Sequence, residues 1–172
     1  MAVKWAVVAG LALAAAAWDL RSRRVPNALT LGAAGLGFLI SGLHAGLGGL
    51  TQSLLGWLVG VALFLPLFLV GGLGGGDVKL LAAFGACLGP IGTLWAALWG
   101  SLVGGVLALA VGAAHGYLLE AFRNLGAMVG VWRTAGSSPI RGLTLGDTRG
   151  PRIAYAMPIS AGAVLALWLG QG

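Results

Sequence analysis

Charge is nearly absent from this sequence, and that scarcity constrains the fold more than any motif does. Lys, Arg, Asp and Glu make up 8% of the 172 residues, while 59% are hydrophobic; soluble domains carry roughly 25% charged residues. Such a chain suits lipid, where every backbone N–H and C=O must find a partner within the protein and helices are the expected spanning form. A crossing needs roughly 20 apolar residues, so the length accommodates about six. The expected fold class is all-α: a polytopic membrane helix bundle, one transmembrane domain over residues 1–172. Its first partner is the lipid bilayer.

The apolar segments fall at about 2–18, 28–43, 50–73, 78–88, 91–114 and 153–169. A glycine-rich link, 44–49, joins the second and third. Pro66 predicts a kink in the third, Leu88-Gly-Pro90 a break after the fourth, and Pro158 an interruption early in the sixth. The 32 glycines are about two and a half times ordinary usage. Many recur at four-residue spacing, as in Gly42/Gly46, Gly56/Gly60, Gly85/Gly89 and Gly100/Gly104, a spacing that favours close helix approach in lipid. Between segments five and six, Leu118, Phe122, Leu125, Val129 and Trp132 repeat at three and four residues, the pattern of an interfacial amphipathic helix. Ser137-Ser-Pro139 ends it.

The net charge of +6 orients the bundle and does not point to nucleic acid. Arg21, Arg23, Arg24, Lys79, Arg123, Arg133, Arg141, Arg149 and Arg152 fall on one side of this layout, and only Lys4 falls on the other. Basic short loops stay cytoplasmic, so both termini are expected outside the cytoplasm. The location implied is the bacterial inner membrane, crossed several times. Lys4 followed by Ala-rich sequence also resembles a secretory signal peptide, but cleavage there would send Arg21, Arg23 and Arg24 outward. The single cysteine, Cys87, permits neither an internal disulfide nor a Cys-rich zinc site. His44 has no second ligand beside it, so no metal and no cofactor is expected.

Against this background Asp19 and Asp77 stand out. Asp19 closes segment one. Asp77 opens segment four after Gly71-Gly-Leu-Gly-Gly-Gly. Ionisable groups at a membrane boundary are costly and are paired, helix-capping or functional. Both aspartates fall at the cytoplasmic face, and two adjacent carboxylates that repel one another hold a single proton between them. One then activates water and the other polarises a carbonyl, which is the equipment for metal-free peptide hydrolysis. The helix dipole favours charge on Asp77 at an N-terminus and not on Asp19 at a C-terminus, which makes Asp19 the expected proton holder. Blander roles stand beside this: Asp77 as the N-cap of segment four, and Asp19 as an interfacial partner of Arg21 or Arg23. Sequence separation does not decide between them.

Gly74-Gly-Gly-Asp77 matches the GxGD motif of intramembrane aspartyl proteases. With its continuation Val78-Lys-Leu-Leu-Ala-Ala-Phe-Gly-Ala-Cys-Leu-Gly89, it resembles the type IV prepilin peptidase family. Asp19-Leu-Arg-Ser-Arg-Arg-Val-Pro-Asn27 is similar to that family's first-aspartate motif, with an Arg two residues on and a Pro-Asn pair. Ile153-Ala-Tyr-Ala-Met-Pro-Ile-Ser-Ala-Gly162 resembles its last span, with Ala154 where a Pro is usual. The resemblance implies an aspartic endopeptidase that cleaves leaders from prepilin or pseudopilin precursors at the cytoplasmic face. Carried over, Asp19 and Asp77 are the catalytic pair, Gly74 and Gly76 shape the loop, and Arg21, Pro26 and Asn27 belong to the turn. Lys79 is either a substrate contact or a snorkelling interface lysine. Bifunctional, methylating members carry a cysteine-bearing insert between the first two spans, so this chain resembles the short peptidase-only form of tight-adherence (Flp-type) pilus systems. Two other classes remain open, a non-catalytic membrane subunit of a pilus or secretion assembly and a small transporter.

Overall fold

The computed structural model describes residues 2–22, 25–116, 118–119, 123, 126, 130 and 155–170. They form four principal helices: α1 (Ala2–Ser22), α2 (Asn27–Leu69), α3 (Gly75–Ala114) and α4 (Ala156–Trp168). No strand occurs among the described residues. The first three are long and apolar enough to cross a membrane, whereas α4 is a shorter apolar helix of 13 residues.

With 43 and 40 residues, α2 and α3 would each reach about 60 Å if straight, twice the roughly 30 Å of a hydrocarbon core. Neither is straight. Helical torsions fail in α2 at Ala45 (φ −135°, ψ 17°) and Gly46 (φ 58°, ψ −139°), and in α3 at Gly89 (φ 80°, ψ 176°). The arms then fold back: a methyl on Gly49 would overlap the Ser41 carbonyl, and one on Gly85 would lie 2.9 Å from Thr93 Oγ1. Eight residues along an unbroken helix would lie about 12 Å apart. The described residues thus form six straight pieces, 2–22, 27–44, 47–69, 75–88, 90–114 and 156–168.

Several boundaries differ from expectation. The link over 44–49 is helical apart from its two central residues, because a sharp reversal needs only Ala45 and Gly46. At Pro66, where a kink is expected, the torsions stay helical and α2 runs on to Leu69. Pro158 does not interrupt its segment, since it lies in the first turn of α4, where a missing N–H leaves no bond unmade. Most of the amphipathic pattern from Leu118 to Trp132, together with Arg23, Arg24 and Asp147, falls outside the described residues.

The 75–88 arm is the hub. Val78 and every residue from Leu80 to Leu88 are buried, with Leu80, Leu81, Ala83, Phe84 and Ala86 fully enclosed. Three of the four glycine pairs make this density possible. A methyl on Gly56 would collide with the Gly85 carbonyl, one on Gly60 with the Ala82 backbone, and Gly100 and Gly104 receive Pro158 of α4. Large leucines, among them Leu13, Leu31, Leu39, Leu58, Leu98 and Leu109, point outward, as a lipid-facing surface requires.

The break before Pro90 leaves a polar debt that a neighbour settles. Proline has no N–H, so the carbonyl four residues earlier, that of Ala86, loses its helical donor. Ser53 Oγ of α2 donates to that carbonyl, and Thr93 Oγ1 donates to Gly89 O at 2.6 Å. Ser160, also buried, has no hydrogen-bond partner for its hydroxyl among the described residues. Ser53→Ala should therefore lower stability by roughly 1–3 kcal/mol, the cost of a buried carbonyl left unmatched. Ser160→Ala should cost nothing or stabilise. Thermal unfolding of both variants in one detergent decides it.

Candidate active site

Helical periodicity carries Asp19 inward. The buried face of α1 runs Val8, Leu11, Ala12, Ala15 and then Asp19, which is 7% exposed. Because α1 continues to Ser22, Asp19 lies within the helix, one turn before its end. Trp18 and Arg21 are on the exposed face. Asp19 Oδ2 accepts a buried hydrogen bond from the backbone N–H of Ala156 at 3.0 Å. Its observed partner is thus the first turn of α4 and not Arg21; Arg23 lies outside the described residues.

The glycine stretch before Asp77 ends one helix and begins the next. Gly72 N–H donates to Leu67 O (2.8 Å) and Gly71 N–H to Phe68 O (3.0 Å), with Gly71 at φ 79°. This is the paired closure in which a left-handed residue ends a helix, a conformation that glycine adopts without steric cost. Three residues later Gly74 is the N-cap of α3 (φ −80°, ψ 147°) and Asp77 is its third residue. Asp77 Oδ2 accepts from Gly74 N–H at 3.2 Å, the carboxylate half of a capping box. Asp77 therefore serves the cap from inside the helix and is not the N-cap. A side chain on Gly74 would press within 3.2 Å of that carboxylate oxygen, and Gly76 faces Val25 across the site, its would-be methyl 3.9 Å away.

The turn between α1 and α2 closes over this loop. Pro26 caps α2 with an extended backbone (φ −62°, ψ 139°), and its carbonyl accepts from the N–H groups of Leu29 and Thr30. Asn27 Oδ1 accepts from Lys79 Nζ at 3.0 Å. That strap ties the start of α2 to α3 two residues beyond Asp77. Lys79 is exposed and already engaged, so the alternatives for it acquire a third member, a structural tie.

Asp19 and Asp77 lie within Coulombic reach of each other, and Tyr155 lies within reach of Asp77. Burial pushes the Tyr155 phenol above its ordinary range, and the Asp77 charge adds to the rise. The phenol is therefore a proton-bearing donor at any working pH. The contrast of helix ends expected from the sequence does not survive. Asp19 is near the C-terminal end of its own helix but accepts from the N-terminal turn of α4, so each carboxylate has a first-turn amide. Tyr155 and Ala156 are the site residues that sequence reasoning missed; their signal was the weakest of the three motifs, at 153–162.

The opposite end of the bundle carries both helix breaks and a cavity of about 620 Å³ lined by Lys4, Ser41, His44, Gln52, Ser53 and Cys87, among others. No carboxylate lines it. His44 and His115 sit at helix ends with Nδ1 against Ile40 O and Val111 O. Among the described residues no cluster of three His, Cys, Asp or Glu side chains could hold a metal ion.

Residues 6–109 match the model of the type IV leader peptidase family. The match takes in both carboxylates and ends ahead of α4. No curated protein and no solved structure matches the chain.

If the two carboxylates share one site, cysteines placed at 19 and 77 in a Cys87→Ser background should be joined by a short bifunctional reagent, monitored as a mobility change after cleavage of an engineered loop site. Pairing position 19 with position 44, at the far end, should give no product.

Proposed function

Because the chain belongs to the type IV leader peptidase family, we propose that it is a membrane-embedded aspartic endopeptidase, cleaving leaders from prepilin-type precursors at the cytoplasmic face of the inner membrane. What supports this reading is that the family match spans both Asp19 and Asp77, and that the two, distant in sequence, lie near enough for the charge of one to act on the other. With one proton between them, the ionised carboxylate removes a proton from water as it attacks the scissile carbonyl. The protonated carboxyl donates a hydrogen bond to the carbonyl oxygen and stabilises the developing oxyanion. The proton taken from water then passes to the departing amine, and the pair returns to its starting state.

In this reading each of the six helical pieces crosses or enters the bilayer, with both termini outside the cytoplasm. The strap of Asn27 and Lys79, with Arg21 beside it, belongs to the cytoplasmic rim, where a precursor's hydrophobic helix would enter beside the carboxylates. Anionic headgroups at that rim offset repulsion between a basic leader and the basic surface. The residues from Asp19 to Asn27 leave no room for a cysteine-bearing insert, so the reaction is peptidase-only. Incubation with S-adenosylmethionine should leave the product N-terminus unmethylated by mass spectrometry.

A non-catalytic subunit is the competing reading, and the hydrogen bonds at Asp19 and Asp77 favour it to the extent that each carboxylate caps a helix. Asparagine separates the two. It keeps an oxygen that accepts the amide, but it neither shares the proton nor activates water. Asp19→Asn and Asp77→Asn should each reduce cleavage of a co-expressed prepilin by at least the roughly 100-fold typical of a lost acid or base, with membrane levels unchanged, while Asp147→Asn cleaves normally. Near-normal processing by either of the first two would end the peptidase reading.

Orientation has its own test. Single cysteines at Ser22 should react with a membrane-impermeant maleimide only from the cytoplasmic side, and those at His44 only from outside. The reverse pattern would put the carboxylates on the wrong face for prepilin leaders.

A further inference from the structure

The family match stops at residue 109, yet one of the two carboxylates is held by a residue far beyond it. Ala156 N–H is a first-turn amide, one of the donors a helix leaves unpaired. It is directed at Asp19 Oδ2 in a buried setting. Tyr155, the preceding residue and the N-cap of α4, is half-buried. We propose that the first turn of α4 is the positioning element of the peptidase site: its Ala156 amide fixes the Asp19 carboxylate, which makes Ala156 a positioning residue for the dyad. This rests on the peptidase reading.

Packing explains how α4 holds that register. Pro158 and Ile159 lie against Gly100, Pro158 also against Gly104, and Gly162 against the backbone of Ala96 and Gly100. A methyl on Gly100 would lie 3.2 Å from Pro158 O and 3.4 Å from Ile159 Cα, so α4 would have to yield by a few tenths of an ångström. That shift falls two residues from the amide that holds Asp19. Gly105, on the same helix, has nothing within 4 Å of the same position and is the matched control. A hydrogen bond to a charged group is worth roughly a tenfold effect or more when removed.

Two glycine variants and one exchange measurement test this in the full-length protein in detergent, with a purified prepilin as substrate. Gly100→Ala should lower kcat by about tenfold, leave KM unchanged and displace the pH–rate profile, while Gly105→Ala should match wild type. Independently of activity, Asp19→Ala should speed amide hydrogen exchange in a peptide covering 155–160, because the Ala156 donor loses its acceptor. A wild-type rate and pH profile for Gly100→Ala would overturn the positioning role of α4. Unchanged exchange in Asp19→Ala would overturn the amide contact. Asp19→Asn and Asp77→Asn, run alongside, keep the two readings apart: if they are inactive and Gly100→Ala is normal, only this inference fails, and if they cleave, the peptidase reading fails first.

Discussion

A carboxylate enclosed by helices must have its lone pairs met, and in this chain that demand falls on Asp19. Water is largely excluded at 7% exposure, and a buried charge without hydrogen bonds is among the costliest defects a protein can carry. The donor that answers it comes from α4, far along the chain. To deliver a backbone amide rather than a side chain, α4 must bring its N-terminal end to Asp19 and also lie against the 90–114 arm. The glycines at 100, 104 and 162 make that second contact possible. The small-residue positions and the buried carboxylate are therefore parts of one requirement: close packing sets the helix end, and the helix end meets the charge.

The two breaks serve the same economy at the other end of the molecule. A 40-residue apolar helix cannot remain straight inside one bilayer, and turning it back exposes carbonyls to a medium that offers no water. At Gly89 and Pro90 the turn is sealed by hydroxyls, Ser53 onto Ala86 O and Thr93 onto Gly89 O. Because these donors come from side chains that stay buried at van der Waals distance from glycine-lined backbone, the 75–88 arm can be short and central. Its short length brings Asp77 to one end of the bundle while its break stays at the other.

Much of this was legible in the sequence, for identifiable reasons. The all-helical architecture followed from long apolar runs punctuated by Pro, Gly and basic residues, since lipid leaves the backbone few alternatives. The reversal at Leu88-Gly-Pro90 was readable because proline removes a donor and glycine adopts φ 80° freely. At Pro66 the helix continues, as an expected kink, unlike a break, allows. The link over 44–49 misled. Glycine richness lowers helix propensity, but two residues suffice for a reversal and packing holds the rest helical. The Asn27–Lys79 strap lay outside any local reading, as a contact between two turns 52 residues apart.

The same limit explains why Asp19's partner was unreadable and why the dipole argument failed. A helix dipole acts on whatever charge lies at its end, whichever chain segment supplies that charge. From sequence, Asp19 belonged to the C-terminal end of segment one, and its nearest cations were arginines two and four residues away. In three dimensions the helix end that meets it is that of α4, 137 residues further along the chain. Motifs identify carboxylates because the side chains carry the chemistry. They do not identify a backbone amide, since any residue except proline can supply one, and only the fold decides which one arrives. Ala156 carries no chemical signature at all. What marks it is its place in the first turn of a helix that begins where the other two functional segments meet, and a substitution that moves that turn would disturb Asp19 without touching either recognisable motif.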